Sequence, residues 1–164
     1  MIHDSINPLD GRYFERTRAL APYFSEEALM RYRVLVEVEY LISLASLGKL
    51  ALRKFTTDEI KTLREIYEDF DETSYDQIKK FEATTNHDVK AVEYFIKDRL
   101  AKTSLKDSVE WVHFAITSED TNNIAYGLML SDATEKVLLP KLEEIKNSLS
   151  QFAQKYKGLP MLAR

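Results

Sequence analysis

No cysteine occurs among the 164 residues. That removes disulfides, thiolate zinc sites, iron–sulfur clusters and a cysteine nucleophile together, and it fits a reducing compartment. Glycine and proline are scarce, four of each against average usage of about 7% and about 5%, so few turns are available for a strand-rich fold. Basic residues are outnumbered 27 to 23, for a net charge of −4. Binding through phosphate contacts wants a basic face, so nucleic acid is disfavoured as a partner. No apolar run approaches the roughly 20 residues that span a bilayer, and Met1-Ile2-His3-Asp4-Ser5 lacks the basic-then-apolar pattern of a signal peptide. The sequence also has no Gly-rich phosphate loop, no Gly-x-Ser-x-Gly elbow and no His-Glu-x-x-His, which disfavours nucleotide hydrolysis, serine esterase and zinc protease chemistry. What remains is the expectation of a soluble, cytoplasmic, all-α protein with no membrane partner, one domain or a large piece of one.

What is present is helical periodicity. The stretch to about Phe24 reads as irregular, broken by Pro8, Gly11 and Pro22. Ser25 then caps a helix that Gly48 ends. Its apolar residues, from Leu29 through Ala45, cover so much surface that it must be buried on more than one side. Arg31, Arg33, Glu37 and Glu39 interrupt that pattern. Buried structural pairing explains them best, since unpaired buried charge is costly, with a substrate role as the alternative. A shorter amphipathic helix starts at Thr57, a solvated acidic turn follows at 69–72, and 75–81 is weakly helical. The next strong start is Thr84-Thr85-Asn86-His87-Asp88, opening a helix to about Lys102, and 106–116 is an aromatic connector. The longest helix begins at Thr117-Ser118-Glu119-Asp120. Towards its far end Leu138, Leu142, Ile145, Leu149, Phe152 and Tyr156 form a seam for lengthwise packing, with a kink expected at Pro140. About 40 residues of helix would be roughly 60 Å long, whereas a globule of this chain length has a radius of gyration of only about 15 Å. Half of the helix is therefore expected to lie against downstream sequence or other subunits, and the chain is expected to be truncated after Arg164.

The residues able to carry chemistry cluster at helix beginnings. His87 sits at one, where free N–H groups and the helix dipole attract anions, and Thr85 with Asp88 has capping-box spacing. Thr117 and Ser118 repeat the arrangement. Two such ends facing each other would suit a substrate with several negative charges, while each taken singly also reads as an ordinary cap. Arg12, after Asp10-Gly11, could offer phosphate a fork of donors, with Tyr13 adding a hydroxyl; the bland alternative is a surface arginine in a leader. Glu110-Trp111-Val112-His113 has the Glu-x-x-His spacing of di-iron bundles, but those need two copies and this chain has one, so no metal is expected.

Three segments taken together resemble the adenylosuccinate lyases of the fumarase/aspartase superfamily: Ser5-Ile6-Asn7-Pro8-Leu9-Asp10-Gly11-Arg12-Tyr13, Thr85-Asn86-His87-Asp88-Val89-Lys90-Ala91-Val92-Glu93-Tyr94-Phe95, and Thr117-Ser118-Glu119-Asp120-Thr121-Asn122-Asn123. Asn7 departs from the commoner Ser. The resemblance implies a small helical N-terminal domain (1–105) and the first part of a long central helical bundle (106–164), assembled as a homotetramer in the full-length parent. It implies β-elimination of fumarate from a succinylated purine nucleotide, without cofactor or metal. Arg12 and Tyr13 would contact the phosphate region, Asn86, His87 and Asp88 would line the substrate site, and Thr117 and Ser118 would hold the succinyl part. The family's general acid and general base would lie beyond Arg164, so no catalytic residue is expected within this chain and the chain alone is expected to be inactive. The rival readings are a stand-alone helical interaction module that uses the 138–156 seam, and a superfamily member with a different amine leaving group.

Overall fold

The structure, a computed structural model, describes residues 6–160 and Leu162. The readings that fell on His3, Ser5, Met161, Ala163 and Arg164 lie outside the described residues. All regular elements among the described residues are helical, as the scarcity of turn formers implied. The leader read as irregular contains two short helices, α1 (Phe14–Thr17) and α2 (Ala21–Phe24), joined by a 3₁₀ turn at Arg18–Leu20. Side-chain turns that periodicity does not register hold it: Asn7 Oδ1 accepts the Leu9 N–H at 2.7 Å, and Thr17 Oγ1 donates to the Leu9 carbonyl at 3.0 Å.

Helix α3 (Glu26–Leu47) starts and stops where its sequence indicates. Ser25 has extended backbone and its hydroxyl accepts the Ala28 N–H, while Gly48 takes the left-handed conformation, φ +62°, that closes the last turn. Helix α4 (Thr57–Glu68) starts at Thr57 as expected, capped by Thr56 in a reciprocal box with Glu59. The acidic stretch read as a solvated turn is a helix junction. Asp69 ends α4, and Asp71 accepts the Ser74 N–H at 2.8 Å to start α5 (Glu72–Thr85). The weak helical pattern at 75–81 thus belongs to a full 14-residue helix. Helix α6 (Asp88–Ala101) follows after a single reversal, and the aromatic connector contains a 3₁₀ helix at Lys106–Trp111.

Helix α7 (Ser118–Ala133) passes through a π turn at Thr134–Leu138 into α8 (Leu139–Tyr156). The expectation of a kink at Pro140 takes this form: a proline at 140 cannot bond the carbonyl of 136, and the wider turn, closed by the Leu139 N–H on the Thr134 carbonyl, precedes it. Pro140 then occupies the first turn of α8, and the helical backbone continues through it.

The chain divides into two compact units, Ala21–Met129 and Met1–Leu20 with Leu130–Arg164. In the first, α3 is the central strut, buried on two sides as its composition requires. Met30, Val34, Val38 and Leu41 pack with Leu63 of α4, Ile78 of α5 and Phe95 and Ile96 of α6. On another face, Tyr32 and Val36 meet Ala125 and Met129 of α7, each pair spaced by four so that ridge meets ridge. Burying an apolar side chain of this size stabilises by about 2 kcal/mol, so these contacts outweigh the cost of carrying two charges, Arg33 and Glu37, on the same helix. In the second unit, Leu142, Ile145, Leu149 and Phe152 of α8 are all exposed. No helix among the described residues is long and apolar enough to cross a membrane.

Candidate functional site

Two of the predicted site segments lie in the Ala21–Met129 unit. The first is the α5–α6 reversal. Asn86 sits in the left-handed region, φ +55°, which asparagine tolerates better than most L-residues, and it turns the chain so that α6 starts two residues later. His87 itself is the cap. Its Nδ1 accepts the Lys90 N–H at 3.2 Å, in place of the box expected between Thr85 and Asp88. Thr85 instead closes the reversal, accepting the His87 N–H at 3.4 Å and donating to the His87 carbonyl at 3.2 Å. With Nδ1 used as an acceptor, a neutral His87 ring carries its proton on Nε2, and the ring is exposed. The α6 start therefore presents a donor of the kind that an anion needs.

The second segment is the start of α7. Thr117 and Asp120 form a reciprocal pair: Asp120 Oδ2 accepts the Thr117 N–H and hydroxyl, both at 2.8 Å, and Thr117 Oγ1 accepts the Asp120 N–H at 3.4 Å. The Thr117 backbone and hydroxyl hold the Asp120 carboxyl below its ordinary range, with a smaller contribution from the charge of nearby His113. Thr117 is thus committed to capping. Among the described residues, no hydrogen bond holds the hydroxyl of Ser118, which leaves it free for a ligand.

One side chain joins the two segments. Arg33 of α3, only 4% exposed, reaches Asp88 Oδ2 at 2.7 Å through Nη2 and Asn122 Oδ1 at 2.9 Å through Nε. Asp88 is the first residue of α6 and Asn122 lies in the second turn of α7, so a single buried guanidinium ties the two helix beginnings together. Burial pushes the Asp88 carboxyl up, but the Val89 N–H and the charge and hydrogen bond of Arg33 outweigh it and hold the group below its ordinary value. One turn further along α3, Glu37, 1% exposed, accepts from Thr121 Oγ1 at 2.8 Å and pairs with His113 Nδ1 at 2.6 Å. Arg33 and Glu37 therefore grip consecutive residues of α7. His113 has φ +63° and Ala115 φ +59°, conformations that cost L-residues about 1–2 kcal/mol each, so the chain between Val112 and α7 is held in a strained shape. The structural pairing expected of Arg33 and Glu37 is what the structure contains. Glu39 and Arg31 depart from the buried pairing expected of them: Glu39 pairs with Arg64 at 2.7 Å and accepts from Tyr67 at a partly exposed position, and Arg31 donates to the Pro22 carbonyl at 3.3 Å.

Sequence reasoning missed the contribution of Asn122, Thr121 and His113. The available signal was two opposite charges spaced by four on an otherwise apolar helix, which says that partners exist without saying where. Glu110 and His113, whose spacing suggested a metal motif, turn to different partners, Lys97 at 3.3 Å and Glu37. Among the described residues, no group of three or more metal-ligating side chains is gathered. A groove of about 460 Å³ with mainly apolar walls, Leu35, Val36, Ile116 and Ile124 among them, runs beside Asp120 and Thr121.

Arg12 and Tyr13 belong to the other unit. There Arg12 is exposed and its guanidinium lies 5.5 Å from the Tyr13 ring centroid. The Tyr13 N–H bonds the Pro8 carbonyl at 2.8 Å, which fixes the turn that carries both side chains.

A model of the lyase family matches residues 11–164. Among curated proteins, the chain is similar to an adenylosuccinate lyase of Dictyostelium discoideum, 48% identical over 168 residues, covering 98% of this chain and 35% of that protein. It is also similar to adenylosuccinate lyases of Legionella pneumophila (strain Corby), 42% identical, and Escherichia coli (strain K12), 41% identical, each match covering 98% of this chain and 36% of the relative. The chain thus spans about a third of the length of the curated relatives it matches.

Proposed function

Since this chain belongs to the lyase family, we propose that it is the N-terminal part of an adenylosuccinate lyase, an enzyme that eliminates fumarate from adenylosuccinate to leave AMP and acts likewise on the related succinyl-carboxamide ribotide. The observation that carries the proposal is the Arg33 bridge, which draws the beginnings of α6 and α7 together from residues 34 positions apart in sequence, Asp88 and Asn122. A substrate with two succinyl carboxylates and a phosphate needs several donors converging from fixed backbone, and paired helix beginnings supply them without mobile side chains.

In this reading His87 orients the substrate and stabilises charge through Nε2, with Asn86 and Asp88 lining the same site. Thr117 and Ser118 hold the succinyl part, Ser118 by its hydroxyl. Arg12 and Tyr13 take the phosphate region. The reaction removes a carbon-bound proton next to a carboxylate, which places a second negative charge on that carboxylate, and then protonates the departing nitrogen. Oriented donors lower the barrier by stabilising that dianion. The two proton-transfer groups are assigned, by resemblance, to segments after Arg164. Residues 1–105 are the small helical domain and 106–164 open the central bundle. The exposed seam of α8 is bundle surface that other helices cover in a cytoplasmic homotetramer.

The test is an assay of fumarate released from adenylosuccinate. Because each missing proton-transfer group contributes about 10² to 10⁴ in rate, the 164-residue chain is expected to give no measurable turnover and the full-length protein to be active. Turnover by the 164-residue chain near the full-length rate would refute the assignment of the acid and base, and an inactive full-length protein would refute the lyase reading itself.

A further inference from the structure

We propose that Glu37 is a positioning residue of this site: it holds the His113 ring by Nδ1, so that Nε2 is the nitrogen left to meet the ligand. The inference rests on the lyase reading for its kinetic test, but the geometry stands apart from it. A carboxylate only accepts, so in the 2.6 Å contact Nδ1–H is the donor. That makes His113 the opposite of His87, whose Nδ1 accepts a backbone N–H and whose proton therefore sits on Nε2. In their neutral forms, two rings near the same pair of helix beginnings are thus set in opposite tautomers by different partners, and among the described residues neither Nε2 has a hydrogen-bond partner.

Stability alone does not account for this arrangement. Glu37 is buried, one of its oxygens takes both hydrogen bonds, and Oε2 has no partner. A buried carboxylate satisfied on one side is costly, and an apolar residue of similar size would fold at least as well. His113 itself has a backbone conformation that few L-residues adopt. What the pair achieves is orientation. Through Thr121 the same oxygen fixes the first turns of α7, so the ring and the Thr117–Ser118 segment are registered against one atom. The charged groups facing His113 are Glu37 by direct contact and Asp120 by its field.

In the full-length enzyme, E37Q keeps the size of the side chain and removes its charge and its obligatory acceptor character. It is expected to lower kcat by roughly tenfold to hundredfold, the size of effect that loss of an orienting carboxylate has on metal-binding histidines, while the thermal midpoint stays level or rises. H113Q is expected to lower kcat by at least as much, and E37Q/H113Q no further than H113Q alone, since the two act as one unit. Independently of activity, nitrogen-15 NMR of the 164-residue chain, assigned by H3Q, H87Q and H113Q, is expected to show neutral His113 protonated on Nδ1 and neutral His87 on Nε2. Wild-type kcat in E37Q, losses that multiply in the double variant, or a neutral His113 protonated on Nε2 would each overturn the proposal. A full-length wild-type protein that releases no fumarate would overturn the lyase reading and leave the NMR result to decide the role of Glu37.

Discussion

Arg33 and Asp88 illustrate how an ion pair can be asymmetric. Arg33 is almost fully buried, whereas Asp88 keeps 48% of its side chain in solvent. Removing the carboxylate strands a buried cation with Asn122 alone, while removing the cation leaves a carboxylate that water can still solvate. D88A is accordingly expected to destabilise by about 2 kcal/mol, below the range for fully buried pairs because half of Asp88 is hydrated, and N122A by less, as read from urea midpoints at neutral pH. Equal costs for the two variants would contradict the view that the Asp88 charge supports the buried guanidinium beyond what a neutral acceptor gives. Glu59 is one of several carboxyls held low in the folded chain, and the one pulled down furthest. Its carboxyl is pulled down to about 2, first by hydrogen bonds from Arg53 and then by the Thr56 N–H. A group whose folded-state pKa is depressed contributes stability that is complete above its unfolded value and is lost as pH falls through the folded one. The urea midpoint is therefore expected to drop between about pH 5 and pH 2, and to drop less steeply in E59Q. Parallel pH curves would exclude a contribution from Glu59. The sequence marked Arg33 and Glu37, with Arg31 and Glu39, as charges needing partners. The partners of Arg33 and Glu37 lie 55 to 89 positions away, and nothing local in a sequence encodes such distances.

Helix boundaries were legible wherever a single residue type satisfies the terminal backbone. Ser25 and Gly48 bracket α3 as read, because a hydroxyl at one end and a left-handed glycine at the other leave little choice. At Gly48 an added Cβ would meet only Lys54 Cε at 3.7 Å, an ordinary contact. The cost of G48A is thus conformational, about 1 kcal/mol, and a thermal denaturation series in which G48A matched wild type while G48N lost stability would contradict that view, since asparagine tolerates this conformation better than alanine. The start of α5 was harder to see because Asp71 lies in an acidic run that also suits a solvated turn; only its bond to the Ser74 N–H tells the two apart. At α6 the cap is His87, not the Thr85–Asp88 pair. Histidine is an unusual cap, and ranking residues by capping preference selects the hydroxyl and carboxylate instead. The π turn before Pro140 likewise leaves no mark in hydrophobic spacing, which registers the seam on either side of it.

For the whole chain, composition and periodicity were enough to establish an all-helical protein, since four glycines and four prolines in 164 residues leave long segments without breakers. The candidate site was legible in its segments, at 86–88 and 117–118, because helix beginnings carry a chemistry that does not depend on the rest of the fold. It was not legible in its cohesion, which comes from two charges on α3 reaching α6 and α7. If those charges hold half of a cradle for a succinylated purine nucleotide, a crystal structure of the full-length protein soaked with adenylosuccinate should have one ligand molecule within hydrogen-bond distance of His87 Nε2, the Ser118 hydroxyl and an Arg12 guanidinium, from the same or a neighbouring copy. Ligand bound elsewhere, with His87 and Ser118 both facing only solvent, would contradict it.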